Sequence, residues 1–177
     1  MAIDELDRLE VIIKPDEGEV EPFIGTVSGE SSFIEIDLTL TAGSYSKNDV
    51  LADTQIIENV LRANGATGIW QSCTLLDKGH NGGDIDIFIL KKNTSIGTEN
   101  SPINISDSDA EDILGVWTFE SQKYVDLVNS KFIQQDNIGV MVKSEENSSD
   151  LYVAAVDRDG DTHVENGIHL KLGFLLD

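Results

Sequence analysis

A single cysteine, Cys73, stands in a chain of 177 residues, so neither an intrachain disulfide framework nor a cysteine-rich zinc site can form. Its apolar, strand-like neighbours mark it as a small core residue rather than a nucleophile. Basic residues are scarce: 12 Lys and Arg stand against 33 Asp and Glu, a formal net charge of −21. Nucleic acids and anionic membranes are held through Lys and Arg, so this balance argues against both as partners. It suits a protein kept soluble at high local concentration, or one that meets a basic partner or cations. No stretch approaches the ~18 consecutive apolar residues of a membrane span. The opening MAIDELDRLE has no basic start followed by an apolar run, so no signal peptide is expected. Without one, the sequons at Asn93, Asn104 and Asn147 read as chance matches. His80, His163 and His169 are the only histidines and lack metal-ligand spacing. G-x-S-x-G, H-E-x-x-H and phosphate-cradling glycine loops are all missing, so no enzyme, catalytic residue or cofactor is expected. Aromatic residues make up 6% of the chain. Trp70, Trp117, Tyr45, Tyr124 and Tyr152 are candidates to stack on sugar rings, but Trp70 and Trp117 sit in apolar runs that read as core.

What the chain does have is alternation. Around Asp77 to Gly83, a cluster of turn-forming residues, lie two apolar runs within Ile69 to Lys92; in the second, Ile85, Ile87 and Ile89 alternate with Asp84, Asp86 and Phe88. That period predicts a central hairpin buried on one face. Ile34, Ile36, Leu38 and Leu40 form a second half-buried strand. Gln55 to Ala63 has a spacing that permits a short helix but reads as a strand, given the turn that follows it, and Val116 to Phe119, Phe132-Ile133 and Ile138 to Val142 read as further short ones. A closing hairpin joins Leu151–Val156 to Ile168–Leu176, where Ile168, Leu170, Leu172, Phe174 and Leu176 alternate without a break. Asn93 to Asn104 reads as a polar loop. A capping box at Ser108 and Glu111 predicts one short helix from Ser108 to Leu114, with Gly115 in the left-handed position that ends it. The fold expected is all-β: an antiparallel, jelly-roll-like β-sandwich over residues 31–177, preceded by an extended acidic arm over residues 1–30. In the arm, Val11, Ile12, Ile13, Phe23 and Ile24 are apolar anchors for a neighbouring partner, set among proline, glycine and acidic residues that interrupt regular structure.

Asp157, Asp159 and Asp161 alternate as at the start of an EF-hand loop, where carboxylates hold a hard cation. The register fails, because glycine falls at position four (Gly160) and position twelve is Ile168. An acidic hairpin is therefore the expectation, with these three aspartates as weak metal candidates. Asp84 and Asp86 share a strand face and are expected to be solvated.

Several segments together resemble small virion structural proteins of tailed bacteriophages: Tyr45-x-x-x-Asp49-Val50, GIWQSCTLLDK ending near Asp77, DIDIFILKKN, INISDSDAEDILG, and LYVAAVDRDGDTHVENGIHLKLGFLLD at the end. The resemblance runs from about Phe33 to Asp177 and leaves the arm uncovered. It implies a β-sandwich protein of the phage head, a decoration or cement protein bound to the outside of the capsid. Its partner would then be the major capsid protein, its assembly a homo-oligomer, often a trimer, and its place the virion after synthesis in the host cytoplasm. The competing expectation is a tail or fibre module that binds host glycan, with calcium at the Asp157 turn.

Overall fold

The computed structural model describes residues 30–176. In chain order the elements are β1 (Glu30–Asp37), β2 (Gly43–Ser44), β3 (Val50–Ile57), β4 (Thr67–Asp77), β5 (Ile85–Leu90), α1 (Asp107–Ala110), β6 (Ile113–Phe119), β7 (Val125–Asp126), β8 (Lys131–Lys143), β9 (Leu151–Asp157), β10 (Thr162–His163) and β11 (Ile168–Leu176). One sheet has the order β1-β11-β4-β8-β7 and the other β3-β9-β5-β6; β2 and β10 make a separate two-residue ribbon. The chain is therefore all-β, with antiparallel sheets.

The main core lies between the two sheets. Leu170, Leu172 and Phe174 of β11 and Trp70, Cys73 and Leu75 of β4 pack in one cluster with Ile85, Ile87 and Ile89 of β5 and Val153 and Ala155 of β9. Each fully buried side chain of this size contributes about 1.5–3 kcal/mol. Trp70 and Cys73 are three apart, which in a regular strand would place them on opposite faces. A register shift between Trp70 and Ser72, where β4 meets β8, turns both inward.

Neither expected hairpin forms. β4 belongs to the five-stranded sheet and β5 to the four-stranded one, and β9 and β11 are divided in the same way. The turn-rich segments that looked like hairpin loops are corners that carry the chain across the core. The expected one-faced burial of β5 is also corrected, since all six of its residues are buried. Its second face packs Phe88 and Leu90 with Val50, Ile96, Ala154 and Val156. Ile96 comes from the segment read as a polar loop, and Ile103 and Ile105 pack on the same cluster. That segment is a cover, not a free loop.

The helix is shorter and earlier than expected, Asp107–Ala110, and its cap is Ser106, whose side chain accepts from the Asp109 N–H. Gly115 lies in β6, where a Cβ would come within 2.8 Å of Val140 Cγ1; glycine is needed there for close approach, not for ending a helix. The strand expected across Gln55 to Ala63 stops at Ile57, and Asn59 follows at φ 52°. Phe132-Ile133 and Ile138 to Val142 are parts of one strand, β8. The arm anchors Val11, Ile12, Ile13, Phe23 and Ile24 lie outside the described residues.

Candidate functional site

The two corners meet at one end of the sandwich. Asp77, the last residue of β4, accepts from the Gly79 N–H through one oxygen at 2.8 Å and from Asn81 and Gly82 through the other at 2.8 and 2.7 Å. Asp157, the last residue of β9, does the same: Asp159 and Gly160 donate to Oδ1 at 2.8 and 2.7 Å, and Asp161 to Oδ2 at 2.9 Å. Each carboxylate thus supplies the acceptors that a turn leaving a sheet would otherwise lack. The corners are also tied to each other. The Asp84 N–H donates to Asp159 Oδ2 at 2.9 Å, the Arg158 N–H donates to the Asp84 carbonyl at 2.8 Å, and the Asn81 amide donates to the Thr162 carbonyl. At Gly83 a Cβ would overlap the Asp161 carboxylate.

Charges at this end are specifically placed. His163 is buried with Nε2 2.9 Å from Asp157 Oδ2; facing a carboxylate, that nitrogen is the donor. The Tyr45 ring meets the imidazole edge-on, with centroids 5.4 Å apart. Burial alone would raise the Asp157 pKa, but the hydrogen bonds from His163 and from the Gly160, Asp161 and Asp159 N–H groups outweigh it and hold the group below the usual carboxylate value. Asp161 moves the other way, pushed up by burial and then by the charge of Asp157. Asp86 is not solvated as expected. It is buried, receives Arg158 Nε at 2.7 Å and accepts from Thr118 Oγ1 at 2.6 Å.

This arrangement is built for capping more than for a cation. Both Asp157 oxygens are engaged by donors, and Asp159 turns to the Asp84 N–H. Among the described residues no group of three or more His, Cys, Asp and Glu is placed to hold a metal ion. Every histidine is bonded to an aspartate: His80 to Asp126, His163 to Asp157 and His169 to Asp37. Cys73 is fully buried, and burial pushes its thiol far up. The aromatic candidates for sugar stacking are buried or half-buried, Tyr152 among the latter. Trp70 and Tyr45 are in the core, and Trp117 and Tyr124 pack against it.

What the surface presents is apolar, in two places. On the outer face of the five-stranded sheet, Leu175 is opposite Ile69 and Ile69 is opposite Met141, with Phe33 opposite Gly173 two residues away. Their sequence neighbours Phe174, Trp70 and Val142 point into the core, so these four point out; Phe33 is 64% and Met141 74% exposed. The second place is the tip of the β7–β8 hairpin, beside the corners, where Val125, Leu127 and Val128 are exposed, Val128 to 79%. Val128 also has φ 75°. A β-branched residue in that region is a steric outlier that costs on the order of 1–3 kcal/mol. An apolar groove of about 240 Å³ adjoins the tip, lined by Trp117, Phe119, Val125 and Phe132 among others. Sequence reasoning missed both places, because whether an apolar residue is covered depends on which strand becomes its neighbour. The one local signal was Leu127-Val128 set directly against the turn-forming Asn129-Ser130.

No protein-family model matches this chain, and no curated protein matches it either.

Proposed function

We propose that this chain is a non-enzymatic virion structural protein, a capsid decoration or cement protein that binds the outside of a phage head and stabilises it. The observation that carries this reading is the pair of exposed apolar surfaces toward opposite ends of one rigid sandwich. β4 has 11 residues, and at about 3.3 Å per residue it separates the two ends by roughly 35 Å. A protein with two separate adhesive surfaces can tie neighbours together, which is the work of a cement protein. Apolar patches that face solvent in a soluble protein mark interaction sites.

Strand order supports the reading. With the eight longest strands renumbered in chain order, the sheets run 1-8-3-6 and 2-7-4-5, with the short β7 added at one edge. This order is compatible with the double-sheet jelly roll that recurs in viral capsid and lectin domains, and supports reading the sandwich as one. Fold alone does not assign function; among the described residues the one exposed aromatic, Phe33, lies within the apolar patch on the five-stranded sheet. The net charge of −21 opposes aggregation of free subunits and steers them toward a basic shell surface. The resemblance to small phage virion proteins points the same way, with the major capsid protein as partner and a homo-oligomer, a trimer in the resembling proteins, as the bound form.

The test is cosedimentation of the full chain with undecorated phage heads, followed by heating of bare and decorated heads. Saturable binding with a raised temperature of head rupture is the expected result. Location in a virion density map at a few copies on the tail would overturn it.

A further inference from the structure

We infer that the β7–β8 tip is a preformed knob, with Leu127 and Val128 inserting into an apolar socket with a basic rim on the capsid protein. The inference rests on the functional reading above and names the contact through which it works.

Three observations converge on the tip. The first is strain. Among the described residues, seven non-glycine residues have positive φ: five are asparagine, one is His80, and the last is Val128. Asparagine and histidine tolerate this conformation, whereas a β-branched side chain does not. A valine held there at the surface does nothing for the free protein that asparagine would not do better, so its presence points to contact with something else.

The second observation is order. The Asp126 carboxylate accepts from the Val128 N–H at 2.7 Å and bonds His80 Nε2 at 2.9 Å, and the Leu127 N–H donates to the Ser130 carbonyl at 2.9 Å. The knob is therefore shaped before it meets a partner, and little ordering cost remains at binding.

The third is charge. The knob stands beside the corners, where Asp159 is exposed and Asp84 and Asp161 are half-buried, and the Asp126 side chain at its own base is 63% exposed, on a chain of net charge −21. An apolar centre flanked by carboxylates fits an apolar socket whose rim is basic.

The experiment compares wild type, Val128→Asn and Leu127→Ser for binding to undecorated heads, with the melting temperature of each free protein measured alongside. Asparagine relieves the strain, so Val128→Asn should melt at the same temperature or about 2–4 °C higher, while it binds heads about tenfold more weakly. Leu127→Ser should also weaken binding and leave melting nearly unchanged. Higher salt should weaken wild-type binding through the charged rim and leave the ratio between wild type and Val128→Asn in place. A gain in stability with a loss of binding is a signature that a merely structural valine would not give. Wild-type protein that binds heads while both variants bind equally well overturns the knob and leaves the functional reading intact. Wild-type protein that does not bind heads overturns both.

Discussion

Asp77 and Asp157 each end a strand in one sheet, open a passage to the other, and gather three backbone N–H groups into one carboxylate. Their surroundings differ. The Asp77 corner continues through Lys78, Gly79, His80, Asn81, Gly82 and Gly83; Lys78 is paired with Asp37 and His80 with Asp126, so the Asp77 carboxylate is held by backbone N–H groups alone. The Asp157 corner continues through Asp159 and Asp161, and there the buried His163 adds a fourth donor to the Asp157 carboxylate, which together with the three N–H groups holds it below the usual carboxylate value. The same cap thus stands on backbone donors alone at one corner and takes a buried side-chain donor at the other, where two more aspartates follow. The acidic turn that invites a calcium reading is a turn whose charges are managed by hydrogen bonds.

Removing the caps breaks the comparison most directly. Asp157→Ala should be the most damaging change, about 4 kcal/mol by urea unfolding, because three N–H groups and His163 all lose their acceptor. Asp77→Ala should cost less, about 2–3 kcal/mol, since only N–H groups are stranded. Equal losses would mean that His163 adds nothing at the second corner.

Acid sharpens the same contrast. Asp112 is buried, which alone would raise its pKa, yet hydrogen bonds from Lys92, Thr94 and Lys91 hold it at about 2. Asp157 is lowered as well. Groups depressed by folding stabilise fully above their unfolded value, near 3.9, and lose that contribution as pH falls toward the folded one. Melting temperature should therefore be level from neutrality to about pH 5 and fall steeply below about pH 4. Asp157→Ala should flatten part of that acid limb, whereas Asp161→Asn should not.

Asp161 provides the smallest and most discriminating effect. Folding raises its pKa, so its charged form opposes folding at neutral pH and the opposition lifts as pH falls through the raised value. Asp161→Asn should stabilise the protein slightly at pH 7, by up to about 0.5 kcal/mol, with the gain vanishing in acid. A loss of stability at pH 7 would show that the carboxylate is an acceptor the corner requires.

How much of this was legible depends on whether the cue is local. Alternation in β11 located its inner face correctly, and Ile168, Leu170, Leu172 and Phe174 are all buried. The same rule separated Ile34 and Ile36, which pack against the core, from Glu35 and Asp37. Pairing was not legible. A seven-residue turn between two apolar runs has the same composition whether the strands lie side by side or face each other across a core, and the choice is made by strands far away in sequence. Asp86 shows the same limit, since its partner Arg158 is 72 residues on. At the candidate site, Asp157, Asp159 and Asp161 were visible as a cluster. Their purpose was not, because it lies in backbone N–H groups that carry no residue-type signature. The knob at Val128 was hidden for a related reason: a dihedral angle, not a residue type, makes it unusual.

The place of β11 in the five-stranded sheet has a consequence for how the protein is made. β11 pairs with β1 on one side and β4 on the other, so those two strands have no contact in the sheet until the chain has been synthesised through Leu176. At about 5–20 residues per second, the stretch from Glu30 to Leu176 takes roughly 7–30 s to emerge. Ile34 and Ile36 for nearly all of that interval, and Trp70 and Leu75 for the later part of it, wait on the ribosome without the strand that joins β1 to β4. Hydrophobic surface exposed for so long is a hazard for self-association, and the dense negative charge of the nascent chain keeps neighbouring copies apart while it lasts. Acidity that reads as a surface property of the folded protein serves first as protection during birth.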